Sequence, residues 1–285
     1  MCAKRIAAIL AVFVCLSGQV IAAESPKIKL DPWGNIQSFW LETSSGEAVA
    51  QQELKFSPSE LAPTRTLYNF SREIISYDII ADITKIHLVY EERSDQNNSF
   101  IYFTGSRNSG QTFSEPQQLA AAGKNPALVS QNELLVAVWE QQGTLYIAES
   151  QDNGQIFTQP KTLSLTDEAL SSPALVIDQD QLVRLCFLAQ NKNTGLNRIM
   201  YAQLDPASAL TEPASFEPKA IFQSHDEITN LQIKINSQAE NGLIIFWQNQ
   251  YLKRLKSYYV VSLDQGESFS SEQLLNYDHE LLALG

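Results

Sequence analysis

Few residues in this chain have the types and spacings that chemistry requires. The three histidines, His87, His225 and His279, stand apart from one another. There is no His-Glu-x-x-His run and no Cys/His spacing that could close around zinc. No Ser lies in a Gly-x-Ser-x-Gly elbow, and no Gly-rich loop could cradle a phosphate. Neither a metal nor a cofactor is expected. Cys186 sits inside the apolar run Leu182–Phe187, the setting of a buried, inert thiol rather than a nucleophile. What is left is a set of carboxylates, amides, arginines and tyrosines. Glu91, Arg93, Glu140, Arg198, Gln248, Tyr251 and Arg254 are the candidates for holding a ligand. Glu42, Glu91, Glu140 and Gln248 each close an aliphatic run that contains an aromatic residue. Such groups suit sugar hydroxyls or a peptide.

An internal repeat positions these residues. Ser106-x-Asn108-x-Gly110-x-x-Phe113 recurs as Ser150-x-Asp152-x-Gly154-x-x-Phe157 and as Ser262-x-Asp264-x-Gly266-x-x-Phe269. A Tyr precedes each Ser by four residues: Tyr102, Tyr146 and Tyr258. Upstream of each copy lies a second module, as in Leu134–Glu140 and Leu243–Gln248. A degenerate unit with Pro173, Phe187 and Tyr201 lies between the second and third copies, and a fainter one holds Ile36–Glu42. Five units of about 50 residues therefore cover nearly the whole chain, the periodicity of a closed repeat architecture. Each unit reads as short strands separated by turn residues, with no helical stretch. The turn has a local logic. Asp152 and Asp264 can accept backbone N–H groups, Gly supplies a positive φ, and Phe returns the chain to the core. This predicts a self-contained hairpin corner between the third and fourth strands of a unit.

The repeated segment resembles the Asp-box, or BNR repeat, of sialidase-like β-propellers, with Asn108 at the Asp position of the first copy. The resemblance implies an all-β fold of four-stranded antiparallel blades, about five, with six as the upper count. It also implies that the Asp-boxes are structural, and that ligands bind on the opposite rim. There the ends of the second strands would line the mouth of a central channel. Active sialidases resemble one another in three arginines that clamp a carboxylate, an acid/base Asp, and a Tyr activated by Glu. Their Arg-Ile-Pro signature has no match at Pro63–Leu67 or Ser71–Ile74. The resemblance therefore leads to a non-catalytic binding or assembly module for glycans or envelope proteins. The alternative is a divergent sialidase-type glycoside hydrolase acting on acidic sugars.

Lys4 and Arg5, the apolar stretch from Ile6 to about Leu16, and the small residues at Ala22 and Ala23 form a secretory signal over residues 1–23. One propeller domain would then occupy 24–285, in a secreted or periplasmic protein with no transmembrane segment after cleavage. Cleavage would remove Lys4 and Arg5 from 20 basic residues and none of the 32 acidic ones, taking the formal charge from −12 to −14. An acidic chain repels phosphate, which excludes nucleic acid as a partner. Only Cys186 would remain, so no internal disulfide can form.

Overall fold

The computed structural model describes residues 26–30, 36–43, 51–59, 62–94, 99–205, 216–236, 242–251 and 254–275. Twenty strands form five antiparallel sheets of four, each paired in chain order. Blade 1 holds β1 (Lys27–Leu30), β2 (Ile36–Thr43), β3 (Gln52–Ser57) and β4 (Arg65–Phe70). Blade 2 holds β5 (Ile74–Ala81), β6 (Ile86–Arg93), β7 (Ser99–Ser106) and β8 (Gln117–Ala120). Blade 3 holds β9 (Lys124–Gln131), β10 (Leu134–Gln141), β11 (Thr144–Ser150) and β12 (Lys161–Leu163). Blade 4 holds β13 (Glu168–Ile177), β14 (Val183–Asn191), β15 (Asn197–Leu204) and β16 (Lys219–Ser224). Blade 5 holds β17 (Glu227–Asn236), β18 (Gly242–Tyr251), β19 (Arg254–Ser262) and β20 (Gln273–Leu274). First strands of successive blades are neighbours, and the whole is a five-bladed β-propeller.

Burial explains the sequence pattern. The second strands β6, β10 and β14 are buried almost without a break, because both faces of a blade pack against neighbouring blades. This is why they read as continuous aliphatic runs rather than alternating ones. The aromatic near the end of each run pairs across the sheet with the repeated Tyr. Tyr90 stacks on Tyr102 at 5.6 Å, Trp139 on Tyr146 at 6.1 Å and Trp247 on Tyr258 at 5.9 Å between ring centroids. Each such pair contributes about 0.5–1 kcal/mol beyond area burial. In blade 4 Phe187 faces Met200 instead.

The three repeated turns join third to fourth strands, as the spacing predicts. In each, the Ser hydroxyl accepts the Gly N–H at 2.8–2.9 Å and donates to the Asn or Asp carboxyl or amide oxygen. Asp152 Oδ1 accepts the N–H of Gln155 and Ile156, and Asp264 Oδ1 accepts that of Ser268. Bonds from the Ser268 hydroxyl and N–H, and from Ser262, hold Asp264 down to about 2. Asn108 Oδ1 accepts the Thr112 N–H in the same way, so an amide serves in the Asp position.

The turns are not self-contained, which corrects the expectation from sequence. Phe113, Phe157 and Phe269 are half-buried and pack edge-on against the preceding blade, on Tyr68, Phe103 and Tyr201 respectively. The turn glycines do likewise, with positive φ of 80°, 82° and 86°. A Cβ on Gly154 would meet the Phe103 ring at 2.4 Å, and one on Gly266 would meet the Tyr201 hydroxyl at 2.2 Å. An arginine of the preceding blade closes each joint. Arg65 donates to Ser109 O at 2.6 Å, Arg107 to Asp152 O at 3.4 Å and Arg184 to Gln265 O at 2.8 Å. Blade 4 has no repeated turn. Its Asp178, at the turn after β13, instead accepts the N–H of Asp180 and Leu182 and anchors the fully buried Arg184.

Candidate functional site

With the repeated turns on one rim, the second strands end on the other. Most of the sequence-predicted ligand groups on that rim are held by protein partners. Glu91 is buried, and its Oε2 accepts the Ser76 hydroxyl at 2.7 Å and the Asn125 N–H of blade 3 at 3.1 Å. Glu140 Oε2 accepts the Ser172 N–H of blade 4 at 3.0 Å. Asn125 and Ser172 sit at first-strand bulges with φ of 48° and 51°. A bulge frees its N–H from the ladder, and the carboxylate of the preceding blade satisfies it. In β14 the same register position is Leu188, which has no acceptor to offer. At the next bulge, Asn230 with φ of 51°, the side-chain amide donates to Gln248 Oε1 of the same blade. Gln248 also donates to the Ser257 hydroxyl at 3.3 Å.

The basic candidates are also engaged. Arg93 bonds Glu73 at 2.7 Å in an exposed pair. Arg198 pairs with Glu168, which is buried at the start of β13 and also accepts from Asn191 at 3.2 Å. Glu168 Oε2 and Arg198 Nε are buried with no hydrogen-bond partner. Tyr251 and Arg254 pair at the tip of the β18–β19 hairpin, and their side chains lie outside what the structure describes. The described arginines do not gather into a carboxylate clamp. Arg65, Arg107 and Arg184 serve the repeated turns, and Arg72, Arg93 and Arg198 each face a separate Glu. Among the described residues no group of three or more His, Cys, Asp or Glu could hold a metal ion.

The sequence did not single out a cleft between blades 1 and 2. It has a volume of about 340 Å³ and is lined by Tyr68, Asn69, Phe70, Ser71, Tyr90, Glu92, Tyr102 and Pro116. Tyr102 belonged to the repeat and Tyr90 to the aliphatic module, but nothing in sequence tied Tyr68 or Glu92 to them. Tyr68 lies on β4, and the packing of blade 1 on blade 2 brings it to Tyr90 at 6.5 Å between ring centroids. Burial pushes the Glu92 carboxyl up, with Arg72 at 4.0 Å opposing. Burial also raises the Tyr90 phenol, reinforced by Tyr68 and Glu92. Tyr68 is raised for the same first reason. Burial thus favours the protonated form of both phenols, and the Tyr68 and Tyr90 hydroxyls bond one another.

The architecture defines the protein's class as a five-bladed β-propeller. No protein-family model and no curated protein sequence matches the chain. Solved structures share its fold. An α-L-arabinanase from Penicillium chrysogenum, complexed with arabinobiose, is 11% identical over 85% of this chain and 78% of its own, with a TM-score of 0.60. The GH93 α-L-arabinofuranosidase of Fusarium graminearum is 8% identical over 87% and 79%, also at 0.60. NanB sialidase from Streptococcus pneumoniae is 9% identical over 87% of this chain and 60% of its own, at 0.56. At these identities the similarity is one of fold.

Proposed function

We propose that this propeller is an exported, non-catalytic module that binds glycans, or glycan-bearing envelope partners, on the rim opposite its repeated turns. The observation that carries this reading is where the reactive groups go. Glu91 and Glu140 hold bulge amides of the next blade, and the described arginines lie apart with separate partners. A carboxylate clamp needs convergent guanidinium groups, and a retaining glycosidase needs two carboxyls about 5 Å apart, one of them raised. The repeated segment itself supports membership among Asp-box propellers, and the signal-like residues 1–23 support export.

The fold similarity to hydrolases favours a second reading, a glycoside hydrolase, one of whose catalytic carboxylates would be the buried Glu168 beside Arg198. One experiment separates the two. The purified chain is assayed on fluorogenic arabinosides, xylosides, galactosides and sialosides, and in parallel on an immobilised glycan panel. Binding without turnover is expected. Turnover that disappears in Glu168→Gln would refute the non-catalytic reading.

A further inference from the structure

The blade 1–blade 2 cleft differs from its counterpart elsewhere in the ring, and the difference has a ligand chemistry. Tyr68 and Phe222 occupy the same place, beside the bulge of a fourth strand. Tyr90 and Trp247 likewise correspond, each paired with the repeated Tyr. Between blades 4 and 5 the Phe222 ring approaches the larger Trp247 indole to 4.9 Å between centroids. Between blades 1 and 2 the smaller rings stand 6.5 Å apart, and a cavity of about 340 Å³ remains. That lies at the small end of ligand sites and suits one ring rather than a chain.

The walls are polar despite the aromatic content. The Tyr90 and Tyr102 faces are spent on each other, and Tyr68 packs edge-on with Phe70 and Phe113. The Tyr68 and Tyr90 hydroxyls bond one another at the cleft, and the Tyr102 hydroxyl, the Asn69 amide, the Ser71 hydroxyl and the Glu92 carboxyl line it beside them. Protonated phenols donate, the carboxyl accepts, and the amide does both. A ligand matching this set is rich in hydroxyls and small. It is also uncharged. Glu92 and Glu115 both act on Tyr68, and among the described residues Arg72 is the cation acting on Glu92. An acidic sugar would meet two carboxylates against one guanidinium, in a chain of formal charge −12.

We propose that this cleft, through Tyr68, Asn69, Ser71, Tyr90, Glu92 and Tyr102, binds a single neutral sugar ring. The proposal rests on the binding-module reading above and gives that reading a place and a ligand class. It puts recognition between two blades, away from the central channel.

The test is calorimetric titration of the full chain with methyl glycosides of arabinose, xylose, galactose and N-acetylglucosamine, with N-acetylneuraminic acid as the charged comparison. At least one neutral glycoside should bind, and the acid should not. Tyr68→Phe removes one hydroxyl and Glu92→Gln one acceptor. Each should weaken that binding by about ten-fold, the effect of a lost hydrogen bond, in a chain that still unfolds in one cooperative step. Gln141→Ala, on the same rim in blade 3, should leave it unchanged. Binding that survives both cleft variants overturns the cleft and leaves the module reading intact. Tighter binding of the acid, or no binding of any neutral glycoside, also overturns the cleft. Turnover of a glycoside overturns the module reading, while the variant affinities still decide the cleft.

Discussion

Two glycines offer a matched test of whether the repeated turns hold neighbouring blades together. Gly195, in the β14–β15 turn, has φ of 69°, and a Cβ there would meet nothing within 4 Å. Gly266 has φ of 86°, but its Cβ would lie 2.2 Å from the Tyr201 hydroxyl and 2.4 Å from Cζ. Tyr201 cannot easily withdraw, because its hydroxyl bonds Arg184 at 3.1 Å and Gln265 O at 3.3 Å. Alanine in the left-handed region costs about 1–2 kcal/mol, offset by about 0.4–1 kcal/mol from a stiffer unfolded chain. Gly195→Ala should therefore destabilise by about 1 kcal/mol. Gly266→Ala carries the same backbone term plus about 1–3 kcal/mol of overpacking, about 2–4 kcal/mol in all. Urea unfolding followed by fluorescence of the buried Trp139 and Trp247 reads the difference directly. Equal losses in the two variants would show that contact with Tyr201 adds nothing. The turn would then be a local corner, and the inter-blade account would be wrong.

Two further perturbations read the interior. His87 is buried on β6, stacked on Phe103 at 5.9 Å, with Nδ1 unbonded, and desolvation followed by nearby Lys85 lowers it from 6.5 to about 4. The unfolded chain then takes a proton that the native one refuses. This contribution is full above pH 6.5 and is lost as pH falls toward 4, by about 3 kcal/mol at most. Urea midpoints at pH 7 and 4.5 should fall less in His87→Leu than in the wild type, and parallel curves would sink the argument. Asp178 and Arg184 form a pair whose side chains are 0% and 1% exposed. Arg184→Met strands the carboxylate and should cost about 3–5 kcal/mol. The double variant with Asp178→Asn should lose less than the two single losses combined, and strict additivity would mean that the pair does not act as a unit.

The parts of this fold legible in sequence were those written within a few residues. The Ser–Asp–Gly turn makes its hydrogen bonds across two to four positions, so its types and spacing announce it. The second strands show as aliphatic runs because both their faces are buried. The joints between blades were not legible. Arg65 reaches Ser109 across 44 positions, Arg107 reaches Asp152 across 45, and Arg184 reaches Gln265 across 81. Nothing at Arg107 itself distinguishes an inter-blade tie from a solvated side chain. The same holds for Glu91 and Glu140, whose positions suggest a channel mouth and whose oxygens bond the next blade's amides. Glu92 and Tyr68 were invisible as a pair for the same reason, since β4 and β6 meet only through blade packing.

This division bears on where function should be sought. An interaction repeated at several blade joints serves the ring, because each joint needs it equally. The arginine ties occur at three joints and the carboxylate-to-bulge bonds at two. A group present at one joint alone answers to something else. Blade 4 has such departures, but its Asp178–Arg184 pair supports the arginine tie to the blade 5 turn and so still serves the ring. Glu168 with Arg198 and the tyrosine cleft with Glu92 rebuild no missing joint. Each keeps a buried or half-buried carboxyl in poor solvent, and the former leaves two polar atoms unbonded. Burying such groups is unfavourable, so their retention at single places in a repetitive ring marks them, before the conspicuous repeated residues, as the positions for ligand experiments.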